Sequence, residues 1–330
     1  MLGQTDWWRN LSRLEMKVGS DEDDEEDNEK TTNKNPPEKV YPGECITAFN
    51  ALAISSHLRH LELTGMDLLE MKDFSNPNYF QNLQNFKLFP NKTAKEELDK
   101  IVSARKSNLT ALRILSKNDW NDLDVSDCQN LQKLKISFQS CQNPFSLFSL
   151  NFLSSLSNMT SLELTILHTH PDSSNEPVTS FTLHHLQNLK IRVHDLNLVR
   201  KEVLDTILNS CPNVKSLIVQ SSLGGCSDSM VLEIVNKCSN VEVLNLSMGS
   251  NTLDKSNDIA LVNLSKLKYL KLIDWTLSKS RAKSILCSSD RLLTVWCKGS
   301  YLVRPSLTVL QMVDLSLHHN IDIRMQLEMC

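Results

Sequence analysis

Apolar residues recur along this chain in the order apolar-x-x-apolar-x-apolar. The pattern stands at Leu58/Leu61/Leu63, Leu83/Phe86/Leu88, Leu109/Leu112/Ile114, Leu131/Leu134/Ile136 and Met159/Leu162/Leu164. It continues at Leu186/Leu189/Ile191, Val214/Leu217/Val219, Val241/Leu244/Leu246 and Leu267/Leu270/Leu272, then more weakly at Leu292/Val295/Cys297. Successive first positions lie 25, 26, 22, 28, 27, 28, 27, 26 and 25 residues apart. Degenerate copies sit at Leu11/Leu14/Met16 and Leu307/Leu310/Met312. Alternation over the last three positions puts two apolar side chains on one face of a short strand and the residue between them on the other. One such strand cannot bury its face alone, so neighbours must stack in parallel, each walling in the next.

Between strands the period becomes helical. Val203, Leu204, Ile207, Leu208 and Cys211 form one apolar stripe, and Met230, Val231, Ile234, Val235 and Cys238 repeat it 27 residues later. Ala282, Ile285 and Leu286 keep part of it before Leu292, and helical spacing also runs through Ile46, Phe49, Leu52 and Ala53. These stripes predict amphipathic helices packed against the sheet. Together the two periods predict an α/β leucine-rich-repeat solenoid, a horseshoe of about eleven units with parallel β-strands on the concave face and helices on the convex face. Residues 45–320 form the solenoid, 1–19 a degenerate first repeat strand, 20–44 an acidic disordered loop or linker, and 321–330 a C-terminal tail.

Composition agrees with this picture. Apolar residues make up 40% of the 330, enough for a core, while 8 Gly and 10 Pro are few for a fold built from many hairpins. The net charge of −4 misleads, because Asp21–Glu29 holds eight acidic residues and no basic one. With that run set aside, 35 basic residues face 31 acidic ones. So slight an excess does not point to nucleic acid. The N-terminus lacks the basic head and apolar run of a signal peptide, and no stretch reaches membrane-spanning length. Nine cysteines without an export signal predict reduced thiols and a cytoplasmic or nuclear location.

The segment CPNVKSLIVQSSLGGCSDSMVLEIVNKCSNVEVLNL at 211–246 resembles the cysteine-containing repeats of F-box/leucine-rich-repeat proteins. Cys211 and Cys238 stand three residues before a strand's first apolar position, as does Cys128; Lys106, Leu156, Leu183 and Leu264 replace the cysteine elsewhere. The resemblance implies a non-catalytic substrate receptor of a cullin–RING ubiquitin ligase, whose repeats hold the target while an F-box binds the ligase adaptor. No stretch ahead of the repeats reads as an F-box. The expectation is therefore a fragment or shortened form, with adaptor binding only if an F-box lies outside this chain, or an F-box-free relative. The repeats also resemble the sensor region of nucleotide-binding immune receptors, although no G-x-x-x-x-G-K-[ST] loop occurs. A more distant resemblance is to repeat-built GTPase-activating proteins, which carry their acidic tract after the repeats.

Candidate chemistry is sparse. No cysteine pair has zinc-ligand spacing, so the thiols are expected in the core, with no metal or cofactor. The histidine pairs His168/His170, His184/His185 and His318/His319 read as solvated surface groups. The surface that matters is the strand face turned away from the core. Its central residues are Glu62, Lys87, Arg113, Lys135, Glu163, Lys190, Ile218, Asn245, Lys271 and Trp296. Stacked strands bring Lys87, Arg113 and Lys135 together as a basic run, extended by Lys190 and Arg192 beyond a break at Glu163. Tyr269, Lys271 and Trp296 supply interface-type residues at the other end. The expected ligand is a protein partner bearing an acidic segment, with no nucleic acid and no membrane. Two readings of the chain's own acidic run stay open: a solvated loop, or a competitor folding back onto this column.

Overall fold

A computed structural model describes residues 11–17, 57–64, 76, 78–89, 95–116, 125–138, 153–166, 181–196, 201–223, 233–234, 236–247, 264–273, 276–277, 294–298, 301–302 and 322–326. In chain order the described elements are β1 (Arg13–Lys17), β2 (His60–Thr64), β3 (Asn85–Phe89), α1 (Lys95–Arg105), β4 (Ala111–Ser116), β5 (Lys133–Phe138) and β6 (Ser161–Ile166). There follow β7 (Asn188–Asp195), α2 (Lys201–Asn209), β8 (Ser216–Leu223), β9 (Val243–Ser247) and β10 (Tyr269–Ile273). The remainder are β11 (Thr276–Leu277), β12 (Thr294–Lys298), β13 (Tyr301–Leu302) and β14 (Asp322–Gln326).

Twelve of these strands form one sheet in the order β1-β2-β3-β4-β5-β6-β7-β8-β9-β10-β12-β14, and β11 pairs separately with β13. Every pairing is parallel. Each strand lies next to its successor in sequence, and β1 and β14 are the two edges, so the sheet is open. A near-constant repeat length is what this order requires, since each unit must return the chain one strand further along.

The register turns the sequence pattern into rows across the sheet. Leu61, Phe86, Leu112, Leu134, Leu162 and Leu189 stand side by side, and the row runs on through Leu217, Leu244 and Leu270. Two residues along, a second row passes from Leu63 through Leu88, Ile114, Ile136 and Leu164 to Leu272. Members of both rows from β2 to β10 are buried. At about 1.5–3 kcal/mol for each buried aliphatic side chain, these rows hold every interior unit between two others.

A third buried column lies three residues ahead of each first apolar position. It contains Phe80, Cys128, Leu156, Leu183, Cys211, Cys238 and Leu264. In each case the amide of the first apolar residue donates back to the carbonyl of the column residue, as Leu131 does to Cys128 at 2.9 Å and Val241 to Cys238 at 3.1 Å. The unit after α1 departs from this rule. The Leu109 amide donates instead to Arg105, at 3.1 Å, and Lys106 is exposed and pairs with Asp127 at 2.6 Å. Arg105, not Lys106, therefore takes the column position, because the α1 helical turn inserts one more residue. Its buried guanidinium donates to Ala104 O at 2.8 Å and to Asn76 O at 2.7 Å, and burial lowers its pKa.

A ladder of asparagine side chains on the same turns was not anticipated. The residue just before the first apolar position donates to a backbone carbonyl of the preceding unit: Asn130 to Ser107 O at 2.6 Å, Asn158 to Gln129 O at 2.8 Å, Asn213 to His184 O at 2.9 Å and Asn240 to Pro212 O at 3.1 Å. Asn108 does the same to Gln81 O. These bonds satisfy carbonyls that the strand ladder leaves outside its pairing.

The predicted helices are seen in part. In α2, Leu204, Ile207 and Leu208 are buried and Cys211 follows, as the 203–211 stripe requires. Residues 233, 234, 236 and 237 are helical, with Ile234 and Cys238 buried. Helix α1 had no place in the sequence reading. The acidic segment 20–44, the helical stretch at 46–53, His168, His170, His318, His319, Ala282, Ile285, Leu286 and the copy at Leu307/Leu310/Met312 all lie outside the described residues. The C-terminal tail expected at 321–330 requires correction. Residues Asp322–Gln326 pair directly with β12, Ile323 beside Val295, and so form the last strand of the sheet. Among the described residues no helix is long and apolar enough to cross a membrane.

Candidate functional site

The face opposite the core carries the central row anticipated from the sequence. Lys87 registers with Glu62 on one side and Arg113 on the other, Arg113 with Lys135, Lys135 with Glu163, and Glu163 with Lys190. The row proceeds through Ile218, Asn245 and Lys271 to Trp296. Two residues it gains at the edges are Glu15 beside Glu62 and Arg324 beside Trp296. Arg192 lies two positions beyond Lys190 on β7, and Tyr269 two before Lys271 on β10, so these candidates share one face, and Trp296 stands in their row by register. Trp296 holds the register position of Lys271 while Val295 and Cys297 hold those of Leu270 and Leu272. The weaker repeat therefore keeps the register of its neighbour.

A depression of ≈ 270 Å³ opens on this face across β1 to β6. Its charged lining comprises Arg13, Glu15, Glu62, Lys87, Arg113, Lys133, Lys135 and Glu163. Here the sequence picture of a basic run interrupted at Glu163 changes. Glu163 is a hub: its Oε1 lies 2.9 Å from Lys135 Nζ, 3.0 Å from Lys190 Nζ and 3.6 Å from Arg192 Nη1. Partial burial pushes its pKa up, but the hydrogen bonds and charges of Lys135 and Lys190 outweigh that and hold it below the ordinary carboxylate range. Lys87 pairs in the same way with Glu62, at 2.7 Å. Arg192 also donates from Nε to Gln220 Oε1 at 2.8 Å, and at the edge Arg13 Nε reaches Glu15 at 2.8 Å.

Arg113 stands apart from this network. It forms no ion pair among the described residues, and its buried Nε has no hydrogen-bond acceptor. Its guanidinium carbon sits 4.8 Å from the centroid of the Phe89 ring, a cation–π distance. Lys133, on the neighbouring strand, is exposed and likewise without a carboxylate partner among the described residues. Asn85 Nδ2 also lies 2.8 Å from His60 Nδ1 within the depression.

Toward β10 the face loses charge. Ile218, Asn245, Tyr269 and Lys271 are half-buried, and Asn245 Oδ1 is buried without a partner. Tyr269 and Lys271 lie four strands beyond the depression, so the structure divides the candidate residues into two groups. The sequence reading missed Lys133 and Phe89, and it saw Glu62 and Glu163 only as neighbours. The signal was available, because residues two apart on a strand share a face: Phe89 with Lys87, Lys133 with Lys135.

Among the described residues, Cys128, Cys211 and Cys238 are buried in the core and form no disulfide. Burial, with the neighbouring Cys238, pushes the Cys211 pKa up to about 12, and burial pushes Cys238 to about 11. Thiols held this far from ionisation are poor nucleophiles and poor metal ligands at neutral pH. Among the described residues no three metal-ligating side chains converge. His184 and His185 are exposed. No family model matches this chain, and no curated protein does.

Proposed function

We propose that the chain is a leucine-rich-repeat protein that binds another protein on the open face of its sheet and performs no chemistry itself. The observation that carries this reading is the depression over β1 to β6, where charged side chains from six successive units converge on one surface. A surface assembled from many repeats suits an extended partner segment, because each unit contributes one residue per row. The lining, with five cations against three carboxylates, suits a partner that carries an acidic segment. The most specific form of the proposal is the substrate-recognition repeat region of an F-box/leucine-rich-repeat ubiquitin-ligase receptor. It is supported by the buried column that Cys128, Cys211 and Cys238 share with Leu156, Leu183 and Leu264. Affinity purification with mass spectrometry tests it, comparing the wild-type chain with Arg113→Glu. The expected result is a set of proteins lost on charge reversal, with the ligase adaptor recovered when the chain carries its F-box. A small GTPase as the partner would overturn the receptor reading.

A further inference from the structure

Most cations of the depression are already neutralised from within. Lys87 is held by Glu62, and Lys135, Lys190 and Arg192 converge on Glu163. What remains is Arg113 and Lys133. Register places Lys133 beside Ala111, two residues before Arg113 on the adjacent strand. From strand spacing and rise, the two Cα atoms are ~8 Å apart, a gap that one anion between two long cationic side chains spans. Ala111 has only a methyl group, which leaves room above the sheet between them. The Phe89 ring backs the Arg113 guanidinium, its centroid 4.8 Å from Cζ. Guanidinium donors held in one plane match the two oxygens of a carboxylate.

We propose that Arg113 and Lys133 form a subsite for a single carboxylate side chain of an extended partner segment. Glu62 and Glu163 are its selectivity elements, since they neutralise the flanking lysines and leave no continuous positive track for a polyanion. This rests on the protein-binding reading above, and it changes the expected ligand from an acidic run to one isolated Asp or Glu.

The test is a side-chain ¹⁵N NMR titration of the full chain, read at the Arg113 Nε–H. The probes are the capped tripeptides Gly-Glu-Gly and Gly-Gln-Gly, triglutamate, and inorganic phosphate. Gly-Glu-Gly is expected to shift the Arg113 signal saturably and Gly-Gln-Gly to leave it unmoved. Lys133→Gln should weaken Gly-Glu-Gly by roughly tenfold, the loss typical of one charge-assisted hydrogen bond. Triglutamate should gain no more than its statistical advantage of about threefold in the wild type, and clearly more in Glu163→Gln, where Lys135 and Lys190 are released. An unmoved Arg113 signal at saturating Gly-Glu-Gly would overturn the subsite. A triglutamate advantage in the wild type clearly above about threefold, or phosphate binding tighter than Gly-Glu-Gly, would overturn its selectivity. Unchanged amide spectra establish that the variants are folded. Partner capture that survives Arg113→Gln, alongside a negative titration, removes the subsite alone; a positive titration without any captured partner removes the protein-binding reading alone.

Discussion

The Lys135 ammonium on β5 lies 2.9 Å from Glu163 Oε1 on β6, with both side chains less than a quarter exposed. The same oxygen takes Lys190 from β7, so one carboxylate ties three consecutive units on the open face. Glu163→Gln should lower stability by about 1–2 kcal/mol, since it leaves two partly buried lysines facing a neutral amide. Urea denaturation measures this. A double-mutant cycle with Lys135→Met should then return a coupling energy above the few tenths of a kcal/mol found for exposed pairs.

The pH dependence follows from the same residue. Glu163 is held below its ordinary pKa in the folded state and titrates near about 4.3 when unfolded. The unfolded chain therefore takes up the proton first as pH falls. The stabilisation is complete above the unfolded value and is lost as pH drops through the folded one. Wild type and Glu163→Gln should differ most at neutral pH and converge in acid. A difference that stays constant down to about pH 3 would contradict the assignment.

The asparagine ladder makes a prediction in both directions. Asn130→Ala and Asn213→Ala each remove one side-chain bond to a neighbouring unit and should cost about 1 kcal/mol, or less because both sites are exposed. His185 occupies the ladder position where its neighbours have Asn158 and Asn213. His185→Asn should restore the missing rung to the β6 unit and raise stability by roughly 0.5–1 kcal/mol. Thermal melts of the three variants check the signs.

Leu217 is fully buried between Leu189 and Leu244 in the first core row. Leu217→Ala should cost about 2–5 kcal/mol. In a stack where each unit is a wall for the next, the loss spreads. Hydrogen exchange should accelerate in β7 and β9 as well as β8, and much less in β2. Uniform acceleration across the sheet would mean that it unfolds as a single block.

Much of the sheet was readable before any coordinates, for a simple reason. The period of two within each strand and the near-constant repeat between strands are local, so Leu61, Phe86 and Leu112 could be placed in one row from spacing alone. What escaped depended on contacts between units or on breaks in the spacing. Arg105 replaced Lys106 in the buried column because α1 lengthens one connection by a residue, which a fixed offset cannot register. The strand at Asp322–Gln326 escaped because Asp-Ile-Arg-Met-Gln carries no leucine to stand out. At the candidate site, the row of residues was correct but its electrostatics was not. Sequence gives which charges are neighbours; only geometry shows that Glu163 gathers three cations while Arg113 lies against Phe89 with none.

The proposed protein partner is held on the open face over β1 to β6 through Arg113. Quantitative co-purification from the same cells measures this most directly, with wild type, Arg113→Glu and Asn213→Ala compared side by side. At least one partner should be retained by the wild type and Asn213→Ala and depleted at least roughly tenfold by Arg113→Glu. Equal recovery of every partner by all three proteins would contradict the proposal.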